Sequence, residues 1–156
     1  MPSLSAMVND AQVPADGETA GERYPSILQV VLDAEDARGL AEFYRQLYGL
    51  HYRPGDEPPA EGEADDDGWL VLRGAGISLA FQRTEKVARS TWPSSEVPQQ
   101  FHLDTTVPTI DELERQKDRA LALGATLLLD RTDDPEEPLY VVADPAGHPL
   151  CIFVSE

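Results

Sequence analysis

Asp36-Ala37-Arg38-Gly39-Leu40-Ala41-Glu42-Phe43-Tyr44-Arg45-Gln46-Leu47-Tyr48-Gly49 decides the fold, because the chain writes its plan twice. A capping aspartate, an apolar stripe at Ala37, Leu40, Ala41, Phe43, Tyr44 and Leu47, and a closing glycine spell an amphipathic helix. Pro108 and Thr109 lead into the second version. It is expected to run from Ile110 to about Leu123, to turn Ile110, Leu113, Ala120 and Leu121 inward, and to close at Gly124. The offset from Gly49 to Gly124 is 75, and from the later Gly76 to Gly147 it is 71. A near-constant offset between matching punctuation marks an internal repeat.

Strands surround each helix. In the first unit, residues 26–33, 51–54, 69–73 and 77–83 read as strands, the last two joined by Gly74-Ala75-Gly76 as a hairpin. In the second unit the strands are 100–107, 126–129, 139–143 and 150–154, with Asp144-Pro145-Ala146-Gly147 as the tight turn before the last. Each unit is thus βαβββ. One helix cannot cover a four-stranded sheet on both faces. The expected architecture is therefore α+β, with two tandem modules forming an eight-stranded mixed, cup-shaped sheet and both helices on its convex face. The expected organisation is a flexible arm over 1–24 and one domain over 25–156, made of module 26–83, bridge 84–99 and module 100–154.

Strand alternation assigns the two faces. Leu28, Val30 and Leu32, Leu79 and Phe81, Phe101 and Leu103, and Leu150, Ile152 and Val154 are expected under the helices. The hollow face is then lined by Gln29, Val31, Ala80, Gln82, His102, Asp104, Cys151 and Phe153. A few polar groups in an apolar hollow suit a small-molecule site. His102 and Asp104 share a face two residues apart, a pair suited to acid/base work as well as to a plain hydrogen bond. Cys151 reads as a small buried thiol. Trp92 in the bridge and Trp69 at a strand start are flat surfaces for a ligand wall or for a subunit contact, and His148 reads as a solvent-facing turn residue.

The formal net charge is −17, from 29 acidic and 12 basic residues among 156. That field repels phosphate backbones and anionic bilayers, so neither nucleic acid nor membrane is an expected partner. The acidic runs over 55–68 and 130–137 read as solvated loops. A single cysteine leaves no intramolecular disulfide. No apolar run reaches membrane-spanning length, and the first residues lack a signal peptide's basic start and apolar core. The expected compartment is the cytoplasm.

The stretches Asp36 to Tyr44, Leu47-Tyr48-Gly49-Leu50, Phe101-His102-Leu103-Asp104, Leu121 to Ala125 and Asp144 to Pro149 resemble the glyoxalase/bleomycin-resistance/extradiol-dioxygenase proteins, the vicinal oxygen chelate superfamily. The resemblance spans about residues 26–154. It implies paired modules, a homodimer, and a site with one metal ligand on each of four strands. Those four positions fall on Gln29, Ala80, His102 and Cys151. Alanine coordinates nothing, and a Gln/His/Cys set offers a catalytic ion little anionic oxygen. The expected function is therefore small-molecule binding in the cup without a catalytic metal. The alternative is a metal-dependent lyase, isomerase or dioxygenase using Gln29, His102 and Cys151.

Overall fold

The computed structural model describes residues 25–155 apart from Ala75. The proposed arm over 1–24 lies outside the described residues. The elements run β1 (Gln29–Ala34), α1 (Ala37–Tyr48), β2 (His51–Tyr52), β3 (Trp69–Arg73) and β4 (Ser78–Arg83) in the first module. The second holds β5 (Leu103–Val107), α2 (Ile110–Ala122), β6 (Thr126–Asp130), β7 (Leu139–Ala143) and β8 (Pro149–Val154). The βαβββ repeat is present in both.

The ladders differ from one continuous sheet. Two separate four-stranded sheets form, ordered β1-β4-β3-β2 and β5-β8-β7-β6, each with its first strand parallel to its last and the other pairs antiparallel. Among the described residues β1 and β5 are therefore edge strands, and no ladder joins the modules. Side chains join them instead. Tyr44 Oη donates to the buried Asp144 carboxylate at 2.7 Å, Tyr48 and Thr105 share a 2.8 Å hydrogen bond, and Arg119 donates to carbonyls of α1.

The helix plan holds closely for α1. Asp36 caps it by accepting from the Gly39 amide at 2.8 Å, and Gly49 ends it in the left-handed conformation at φ 66°, which glycine adopts without penalty. All six predicted stripe residues are buried. α2 is capped by Thr109 but buries only Leu113 and Ala120 fully. Ile110 is exposed and Leu121 half-buried, because this helix packs with a narrower stripe.

Two strands begin later than the sequence suggests. Residues 26–28 precede β1, leaving Leu28 about half exposed. Residues 100–102 precede β5, where the partner beside His102 would be Pro149, which brings no amide N–H to the ladder. β2 ends at Tyr52 rather than 54, where Arg53 and the turn at Gly55 take over. The core lies between helices and sheets and includes Leu32, Leu40, Tyr44, Leu70, Leu72, Phe81, Leu150 and Ile152. No helix among the described residues is long and apolar enough to cross a membrane.

Candidate functional site

The face turned away from the helices begins as rows of neighbouring side chains. Register places Asp33 beside Gln82 and Gln82 beside Trp69, and in the next row Val31 beside Ala80 and Ala80 beside Val71. Alternation sends Leu32, Phe81 and Leu70 to the core, so these rows share the opposite surface. Over it runs the bridge. Lys86, Val87, Ala88, Ser90 and Pro98 to Phe101, with His148 and Pro149 from the second module, border a cavity of about 600 Å³ above Val31, Asp33, Trp69 and Gln82. That volume suits a small ligand.

His148 is brought here by the β7–β8 turn. Asp144 accepts at one oxygen from the amides of Ala146 (2.9 Å) and His148 (3.0 Å), and at the other from Tyr44. Burial, the largest influence, pushes the Asp144 carboxyl up despite these donors and nearby His148. The His148 ring then reaches the carbonyl of Asp33 across the module boundary at 2.7 Å. Its expected solvent-facing place is corrected: the turn folds against β1, a contact no local pattern reports. Phe101 is corrected likewise. It lies outside β5, is 40% exposed, and walls the cavity instead of packing under a helix.

The predicted lining is thereby divided. Val31 and Gln82 line the cavity together. His102, Asp104 and Cys151 gather elsewhere, on the second module, with one ligand atom from each within 4.8 Å of the others. His102 Nε2 lies 3.3 Å from Asp104 Oδ1. Burial pushes the Cys151 thiol up, and the charge of Asp104 and a hydrogen bond to it push it further. Phe153 is half-buried on β8, next to Thr106 and Leu139 in register. Gln29 heads β1 beside Ser78 and is not among the residues lining the cavity. Trp92 is half-buried in the bridge's own turn, where its amide donates to Ser90, and is not part of the cavity wall.

The metal positions implied by the resemblance fit an ion poorly. Ala80 is fully buried and has no donor atom, while Cys151 holds its proton more firmly than a free thiol. Among the described residues, Asp104 is the carboxylate grouped with His102 and Cys151.

Comparison with known proteins follows the same outline. The profile of the glyoxalase-like domain family matches residues 29–153. Comparison with the curated proteins gives no match. Among solved structures, the chain is similar to a glyoxalase/bleomycin resistance protein/dioxygenase family enzyme from Burkholderia phytofirmans PsJN. Identity is 18% and TM-score 0.60, over 81% of this chain and 96% of that one. A glyoxalase-related enzyme from Fulvimarina pelagi shares 21% identity at TM-score 0.59, over 85% and 89%. The fosfomycin resistance protein FosX from Mesorhizobium loti shares 11% at TM-score 0.60, over 86% and 95%. At these identities the structural likeness speaks for the fold.

Proposed function

This chain belongs to the glyoxalase-like domain family, and from that premise we propose that it binds a small organic molecule on the first module's hollow face without a catalytic metal. The observation that carries the reading is the cavity of about 600 Å³. Its floor is Val31, Gln82 and Trp69, its cover is the bridge, and its end is His148. Aromatic and aliphatic walls with a few polar groups supply burial and orientation together. Metal independence is supported by the donor chemistry, since Ala80 removes one implied ligand and Cys151 replaces a carboxylate. The protein is proposed to work as a homodimer in the cytoplasm, with the edge strands β1 and β5 as the surfaces that need partners.

A second reading keeps a specific observation of its own. The His102, Asp104 and Cys151 group offers nitrogen, oxygen and sulfur to a borderline cation, and such an ion would supply Lewis acidity to a lyase, isomerase or dioxygenase. Metal analysis of protein purified without added ions separates the two. Sub-stoichiometric metal, unchanged in His102→Ala, is the expected result. A full equivalent of zinc, iron, nickel or manganese that His102→Ala loses would replace the first reading with the second.

A further inference from the structure

The donor and acceptor roles at the cavity's end are fixed by one contact. The Asp33 carbonyl only accepts, so the 2.7 Å hydrogen bond to His148 requires the proton on Nε2. In the neutral ring Nδ1 then carries a lone pair. It makes no hydrogen bond to any described residue. Nor is it sealed in, since the buried unpartnered side-chain atoms are Trp69 Nε1, Thr84 Oγ1 and Arg131 Nε. The main chain of His148 is also held, because its backbone amide donates to the buried Asp144. His148 thus lines a cavity walled by Val31, Trp69 and Phe101, and Nδ1 is its ring nitrogen without a partner among the described residues.

We propose that His148 Nδ1 selects the ligand: a planar small molecule that lays its ring against Val31, Trp69 and Phe101 and donates an O–H or N–H to the imidazole. This rests on the cavity-binding reading above and adds the ligand's required donor to it. Charge does not favour an anionic ligand instead. Asp33 and Lys86 at the rim are of opposite sign, and the net charge of −17 repels anions. An acceptor held in place pays little to form its bond, whereas a ligand without the donor leaves it unpaired.

The test uses 2-naphthol and 2-methoxynaphthalene, which share a ring system and differ in the O–H donor. Binding to the whole chain is followed by amide chemical shifts, and the imidazole by its ring nitrogen signals. The expected result is that 2-naphthol binds about tenfold more tightly. His148→Phe should abolish that preference, and its amide chemical shifts away from the cavity should match those of the native protein. The free protein should show the Nε2–H tautomer, with the Nδ1 signal moving when 2-naphthol is added. Equal affinity for the two probes, or an Nδ1–H tautomer, overturns the proposal and leaves the cavity reading standing. Failure of both probes to bind the native protein overturns the cavity reading and this proposal with it.

Discussion

Tyr44 and Asp144 show what single residues contribute. The tyrosine sits on the buried stripe of α1, and its hydroxyl meets a carboxylate that is itself fully buried. Tyr44→Phe keeps the packing and removes one donor from that carboxylate. The expected cost is ~1–3 kcal/mol, read as a lower urea midpoint with an unchanged slope. The pH dependence follows from sign. The Asp144 carboxyl is raised in the folded chain, so the unfolded chain ionises first as pH rises. Its contribution to stability therefore falls as pH climbs from the ordinary carboxyl range toward the folded value. Because Tyr44 supports the charged form, the difference between wild type and Tyr44→Phe should widen as pH rises out of the ordinary carboxyl range through the raised folded value. A constant difference would contradict this account. Cys151 makes a second residue-scale prediction. Asp104 helps keep its thiol protonated, so Asp104→Asn should speed iodoacetamide alkylation at about pH 8, measured by mass spectrometry.

At the scale of elements, the acidic loop after β2 turns out to be anchored. Asp56 is buried, accepts from the Val71 amide at 2.8 Å and pairs with Arg53. Arg38 on α1 donates to Asp65 at 2.6 Å and to the carbonyl of Asp56. Its hydrogen bond holds the Asp65 carboxyl below the usual range, a stabilisation present above the unfolded pKa and lost as pH falls through the folded one. Arg38→Ala is expected to speed amide exchange across residues 56–67 at neutral pH and leave β4 unaffected, with a global cost of only ~1 kcal/mol. The solvated reading holds for Glu57, Glu61, Glu63, Asp66 and Asp67 and misses Asp56 and Asp65, because charge composition does not reveal which carboxylates a helix or strand will clasp. The start of α1 sets two effects against each other. A Cβ on Gly39 would lie 2.2 Å from Asp36 Oδ2, so Gly39→Ala displaces the cap. Alanine's helix preference returns ~1 kcal/mol, and the lost cap costs ~0.5–2. A slight net loss in melting temperature is expected, and a gain would show that the cap re-forms.

For the whole molecule, the excess of acidic groups is a field before it is a set of contacts. With a net charge of −17, self-repulsion weakens the compact state at low ionic strength. Raising sodium chloride from about 0.02 to about 0.3 M should raise the melting temperature, as the Debye length shrinks. A melting temperature that falls would mean local ion pairs outweigh the net field. The sequence by itself determined the two βαβββ units, the helix bounds of α1, and the core-facing places of Leu32, Leu79, Phe81, Leu150 and Ile152. These depend on periodicity and capping, which are local. Only the tertiary structure decided that the ladders close as two sheets and that the predicted hollow divides between a bridge-covered cavity and the His102, Asp104 and Cys151 group. It alone brought His148 to Asp33, 115 residues away. Such meetings are set by how two modules pack through Tyr44, Tyr48 and Asp144. A repeat in the chain fixes what each module is, and leaves open where one module's turns fall on the other.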